Sequence, residues 1–134
     1  MFLSARGAIS WQSKLIPNSS LSSCESEYMQ FSSATTEARF LKQLQMQMVG
    51  ESAAPYQLRV LAENQPALEI LHNPIYHCRS KQILAKYHFV RDRVFNEKEL
   101  VFEKISVGQM GADTLTKHAS VGVVRYNKNL IGMM

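Results

Sequence analysis

The sequence predicts an α/β layer fold, with helices packed on a mixed sheet. Apolar residues switch between a period of two and steps of three or four, and segments of the two kinds alternate from one end of the chain to the other. The 134 residues are 46% hydrophobic and 19% charged, with no internal repeat, linker or low-complexity tract, so we expect one domain over residues 1–134.

In residues 8 to 16, Ile9, Trp11 and Leu15 alternate with Ser10, Gln12 and Lys14, the pattern of a half-buried strand. Trp11 is expected to pack in the core or the hairpin and not to form a base-stacking platform. Pro17-Asn18-Ser19-Ser20 breaks the strand. Ser22 followed by Glu25 is a capping box, and Phe31, Ala34, Ala38, Leu41 and Met48 then carry an apolar helix face to about Met48. Met29, Met46 and Met48 read as flexible filler on that helix. Gly50 and Pro55 close it.

Tyr56 to Ala62 reads as a strand with Tyr56, Leu58, Val60 and Ala62 on one side. Asn64-Gln65-Pro66 opens a short helix, because proline is tolerated where the amide has no partner, and Asn73-Pro74 ends it. Ile83, Tyr87, Val90 and Val94 mark a second long helix from Ser80. Leu100 to Ile105 is a short strand, and a final helix of about two turns spans Gln109 to Lys117.

Cys24 and Cys78 form neither a disulfide framework nor paired-ligand spacing, so no disulfide is expected and a reducing compartment suits the chain. The first residues lack the apolar run of a secretory signal, and no stretch approaches the ~18 apolar residues of a membrane span. The chain therefore reads as intracellular, cytoplasmic or nuclear, and not secreted or membrane-bound. Its net charge of +4 is compatible with a polyanionic partner.

Three carboxylates could do chemistry. Glu27 lies four and seven residues before Phe31 and Ala34, on the helix face expected to point inward; its plain reading is a first-turn acid favoured by the helix dipole. Glu63 stands at a strand's C-terminal end, where open α/β sheets place ligands; the plain reading is a turn former. Asp113 sits among apolar neighbours in a short helix, or is simply an exposed helix acid. Converging, such acids could hold Mg2+ for phosphodiester cleavage.

Longer stretches resemble a known family. Gly7-Ala8-Ile9-Ser10-Trp11-Gln12-Ser13-Lys14 is followed by Leu21-Ser22-Ser23-Cys24-Glu25-Ser26-Glu27-Tyr28, where the family reads L-S-S-T-E-A-E-Y. Ala62-Glu63-Asn64-Gln65-Pro66-Ala67 is similar to C-D-N-Q-S-A, and Asn73-Pro74-Ile75-Tyr76-His77-Cys78-Arg79-Ser80-Lys81 to N-P-x-x-H-x-R-T-K. Tyr87-His88-Phe89-Val90-Arg91 follows at the family's spacing, then Ala112-Asp113-Thr114-Leu115-Thr116-Lys117, similar to A-D-x-L-T-K, and the ending Leu130-Ile131-Gly132-Met133. In this order they resemble the RNase H domain at the C-terminal end of copia-type retrotransposon Pol polyproteins.

The resemblance implies an RNase H-like mixed sheet flanked by helices, and a Mg2+-dependent nuclease that cuts the RNA strand of RNA-DNA hybrids during reverse transcription. Glu27, Glu63 and Asp113 would be three of its four catalytic, metal-holding acids. The family's first acid lies on a central strand upstream of the stretch that matches Met1 to Ile16, and no Asp or Glu precedes Glu25 here. The expectation is thus a domain truncated at its N-terminal strand, marginal when isolated because two sheet edges stay unpaired. Glu63 replaces the family's Asp and adds about 1.5 Å of reach, and misplacement of that order costs roughly a hundredfold in rate. Gln82, Leu84 and Pro66 also depart from the family. Hydrolysis is expected to be impaired.

Arg79, Lys81, Lys86, Arg91 and Arg93 against Asp92 make residues 79 to 93 the most basic segment. It is either a solvated helix face or, in the implied fold, a strip along the hybrid's phosphates; Arg79, Lys81, Lys86 and Arg91 are the candidate nucleic-acid contacts. His77 is a candidate proton shuttle or loop hydrogen bonder, while His72, His77 and Cys78 fit no standard zinc spacing. Expected partners are an RNA-DNA hybrid or other nucleic acid, and the reverse-transcriptase segment of the same polyprotein. The alternative is a non-catalytic basic module that binds nucleic acid or reverse transcriptase, or a gene relic.

Overall fold

Residues 1–13, 23–50, 57–73 and 81–133 are described by the computed structural model, in which helices and strands alternate as an α/β chain. Two units arise: a central one, Asn18–Lys104, and a terminal one that joins Met1–Pro17 to Ile105–Met134. No helix among the described residues is long and apolar enough to cross a membrane.

In the terminal unit, strands β1 (Phe2–Ser4) and β2 (Gly7–Ser10) pair antiparallel around Ala5 and Arg6, both at positive φ (49° and 66°). Such a turn matches the strands' right-handed twist, at a strain of about 1–2 kcal/mol per non-glycine residue. The strand expected over residues 8 to 16 is thus shorter, and β1 was not anticipated, since three residues carry no readable alternation. Ile9 is 51% exposed and Trp11, beyond the end of β2, is 63% exposed. The expected packing of Trp11 in the core or hairpin is corrected accordingly.

In the central unit, α1 spans Ser23–Val49, and the Ser22–Glu25 capping box lies outside the described side chains. Gly50 adopts φ +86° and returns its N–H to the Met46 carbonyl at 3.0 Å. The buried face is Tyr28, Phe31, Thr35 and Ala38. Phe31 and Ala38 are where the spacing put them, but Ala34 and Leu41 are half-buried and Met48 is 76% exposed. The reason is length. At 27 residues α1 runs about 40 Å, and its partners α2 (Gln65–His72) and α3 (Lys81–Arg91) are far shorter.

Strand β3 (Leu58–Ala62) pairs parallel with β4 (Leu100–Lys104), from Leu58 opposite Leu100 to Ala62 opposite Lys104. Parallel neighbours need a crossover, which α2 and α3 supply. Asn64 caps α2 by accepting the Ala67 N–H at 3.1 Å, and Ala67, Leu68, Ile70 and Leu71 are buried beneath it. From α3, Tyr87 and Val90 enter the same core, and the helix widens into a π turn at Asp92–Asn96, so Val94 ends half-buried.

Across the ladder Arg59 Nε donates to both Glu103 carboxylate oxygens, at 3.1 and 3.2 Å. These bonds hold the Glu103 carboxyl below the usual carboxylate range. Any stability they lend is present at neutral pH and fades as pH falls through that lowered value; the pair is solvent-exposed and screened by salt.

Past β4 the sequence reading fails locally. In place of one helix from Gln109 to Lys117 there are two 3-10 turns, Val107–Gln109 and Gly111–Leu115. Thr114 Oγ1 donates to the Gly111 carbonyl at 2.8 Å, the kind of local bond that competes with a regular helix. Helix α4 (Val121–Leu130) was not anticipated: Ser120 makes no capping bond, and Asn127 is the helix's one buried residue. Among the described residues the strands form two separate two-stranded ladders, one antiparallel and one parallel, where one mixed sheet was expected.

Candidate functional site

Glu27 sits in the second turn of α1, beside and not on its buried stripe. Its neighbour Tyr28 takes the core position, 1% exposed, with its ring 5.4 Å from Tyr87 and 5.6 Å from Phe31. One residue turns a helix by about 100°, so Glu27 lies half-buried at the rim of the core. Inward pointing, read from its spacing to Phe31 and Ala34, is corrected to this rim position.

Glu63 follows Ala62, the last residue of β3, and precedes the α2 cap Asn64. The strand's end and the helix start together hold it half-buried in the bend between them. The Lys104 ammonium donates to the Glu63 backbone carbonyl. Glu27 and Glu63 thus belong to one unit, on the long helix and at the C-terminal end of the parallel ladder.

Asp113 belongs to the terminal unit, in the Gly111–Leu115 turn. Its Oδ2 lies 2.8 Å from Lys117 Nζ, four residues on, and its carboxylate is only 22% exposed. A cleft of about 450 Å³ passes over this pair, lined also by His118, Tyr126 and Asn127. Among the described residues no group of three His, Cys, Asp or Glu side chains is disposed to hold a metal ion. Glu27, Glu63 and Asp113 are oxygen donors of the kind Mg2+ takes, but among the described residues they are not gathered into one cluster.

Two described cations of the basic segment, Arg91 and Arg93, are engaged within the fold. Arg79, His77 and Cys78 lie outside the described residues, as does the side chain of Lys81, which opens α3. Lys86 is half-buried. Arg91 Nη1 donates to the Leu71 carbonyl and, at 3.1 Å, to Tyr87 Oη, and the guanidinium lies 4.9 Å from the Phe95 ring centroid. It thereby closes the C-terminal end of α2 against α3. Arg93 is ion-paired with Glu97 and lies 3.9 Å from Asp92. His72 is exposed and meets Phe95 edge-on at 5.5 Å. Beside Arg91 a groove of about 520 Å³ runs along α3 between His88, Phe89 and Phe95.

These contacts make Arg91 first a structural residue. Arg91→Ala is expected to cost about 2 kcal/mol, since it leaves a carbonyl and a hydroxyl without their charged donor. Arg91→Lys should recover less than half, because an ammonium cannot serve both acceptors and stack. Urea midpoints of the three proteins check this, and an unchanged midpoint for Arg91→Ala would contradict it.

No protein-family model matches the chain, and no solved structure does. Curated relatives do. It is 36% identical, over 133 residues or 99% of its length, to the retrovirus-related Pol polyprotein from transposon TNT 1-94 of Nicotiana tabacum, of which it covers 10%. Over 112 residues, 84% of its length, it is 31% identical to the Pol polyproteins from transposons RE2 and RE1 of Arabidopsis thaliana, covering 8% and 7% of them. The chain therefore spans about a tenth or less of the length of these relatives. A match at 36% identity over 99% of its length places the chain as a domain derived from the Pol polyproteins of copia-type retrotransposons.

Proposed function

We propose that this chain is an RNase H-type segment of a retrotransposon Pol polyprotein, engaging RNA-DNA hybrids of reverse transcription while hydrolysing them poorly. The observation that carries the reading is the placement of Glu63: a carboxylate at the C-terminal end of a parallel strand, in the bend before a capped helix, in the same unit as the helix carboxylate Glu27. The 36% identity to the tobacco Pol polyprotein over 99% of the chain supports the same lineage.

Poor hydrolysis follows from the acids themselves. Glu63 stands where the resembling family has the shorter Asp, and Asp113 is engaged with Lys117. With fewer or displaced carboxylates a divalent cation would be bound more weakly and aligned less well with the scissile phosphate.

A labelled RNA-DNA hybrid incubated with the 134-residue chain and Mg2+ tests this. The expected outcome is saltable, saturable hybrid binding with cleavage at least a hundredfold below that of an intact enzyme of this type. Glu27→Gln should abolish whatever cutting remains. Vigorous turnover would refute the impairment, and failure to bind hybrid would refute the assignment. The second reading, a non-catalytic module binding nucleic acid or the reverse-transcriptase segment, is favoured by the absence of a three-ligand cluster among the described residues. Binding without any Glu27-dependent cutting distinguishes it.

A further inference from the structure

Charge in this chain is segregated between the units. The terminal unit carries Arg6, Lys14, Lys117, Arg125 and Lys128 against one acid, Asp113. Cations and acids of the central unit balance, so the whole formal excess of +4 belongs to the terminal unit. Its acid is already matched to Lys117. Arg6, Arg125 and Lys128 form no ion pair with a described residue.

Packing collects these cations at one end of the unit. Arg6 occupies the left-handed hairpin turn, and Gly132 lies directly against its backbone carbonyl. The Ala8 N–H donates to the Ile131 carbonyl at 3.1 Å, which fastens β2 to the residue ending α4. Lys128 is in the last turn of that helix, with Arg125 three residues before it on the same side. The hairpin turn and the end of α4 thus form a cationic edge.

Two aromatic rings in the same unit stand in solvent. Trp11 is 63% exposed beyond the end of β2, and Tyr126, adjacent to Arg125, is 48% exposed on α4. Tyr126 adjoins Arg125 and Trp11 stands five residues past Arg6, so the wet rings and unneutralised cations of this unit offer π faces and phosphate contacts that a strand of several nucleotides could span. A base inside a duplex is already stacked, so only an unpaired one can use such a face. The exposed valines of α4 would suit a protein partner, but that reading leaves the one-sided charge unexplained.

We infer that the terminal unit binds single-stranded nucleic acid, with phosphates on Arg6, Arg125 and Lys128 and an unpaired base stacked on Trp11. This surface belongs to the terminal unit and shares no residue with the basic segment 79 to 93, so it stands independently of the hybrid reading.

Trp11 is the chain's one tryptophan, so its fluorescence reports the event directly. Titration of the 134-residue chain with an oligothymidylate of about ten nucleotides should quench it saturably. The logarithm of affinity should fall with that of salt at a slope of about −2, the release expected from three phosphates on a single strand. By anisotropy of a labelled oligonucleotide, Trp11→Ala should weaken binding about tenfold and Trp11→Phe should restore most of it. The double variant Arg125→Ala, Lys128→Ala should flatten the salt slope while leaving circular dichroism unchanged, because both residues are exposed.

Polyphosphate should compete without quenching. Absence of quenching by the oligonucleotide overturns the inference. So does equal quenching by a duplex or by poly-glutamate, which would point to a non-stacking or protein partner. Quenching without hybrid binding would sustain it while the hybrid reading falls, and hybrid binding without quenching would do the reverse.

Discussion

Phe102→Ala is expected to remove about 3–4 kcal/mol from the central unit, a third or more of the stability of an ordinary domain. Phe102 stands opposite Val60 in the parallel ladder, is 6% exposed, and meets the Phe31 ring of α1 at 4.7 Å. Truncation removes the transfer energy of a whole ring and leaves a cavity between helix and ladder. Phe102→Leu, which keeps most of the volume, should cost about 1–1.5 kcal/mol. The urea midpoint should drop in that order at constant slope. Because α1 carries Glu27 and Glu63 directly follows the last ladder residue, Ala62, the same change should loosen any joint action of the two acids, and a displacement near 1 Å is already damaging. A loss below about 1 kcal/mol would mean that α1 is not docked through this ring pair.

The second large effect is expected at Gly132. Its φ of +73° favours glycine, and a Cβ built there falls 1.6 Å from the Arg6 carbonyl oxygen and 2.7 Å from its carbon. Both obstacles are backbone, so no rotamer relieves them. Gly132→Ala should cost about 3 kcal/mol, from left-handed strain plus overpacking, and should part the C-terminal turn from the hairpin. The Ala8 amide, bonded to the Ile131 carbonyl, should then exchange with solvent roughly a hundredfold faster. Gly122→Ala is the contrast. Nothing lies within 4 Å of a Cβ there, and Gly122 is in α4, so helix propensity should make it neutral or stabilising by up to about 1 kcal/mol. Equal exchange rates in the two variants would remove the Gly132 contact from the account.

Much of the central unit was legible because its signals are short-range. Asn64 caps α2 by a bond to an amide three residues away, and Gly50 ends α1 by a bond four residues back, so residue type and position suffice. The same holds for the alternation of Leu58, Val60 and Ala62, which a strand's geometry imposes on any core it meets. Helix α4 escaped because three valines, a glycine and two asparagines in ten residues are weak helix formers, and the residue it buries is an asparagine. The candidate site was legible as residue types and only partly as geometry. Glu63 is at the strand end where the sequence placed it, whereas Glu27 is displaced to the rim by Tyr28, a larger apolar neighbour competing for the same wall.

By itself the sequence determined the alternation of elements, the caps that bound them and the lineage written in its ordered motifs. Tertiary structure alone decided that Arg91 turns inward to the Leu71 carbonyl, that Met48 and Trp11 are left in solvent, and that the hairpin turn at Arg6 packs against Gly132 beyond α4. The division has a physical cause. Caps and periodicity depend on bonds spanning a few residues, whereas burial, and with it the surroundings of a charge, depends on which distant segment arrives to exclude water.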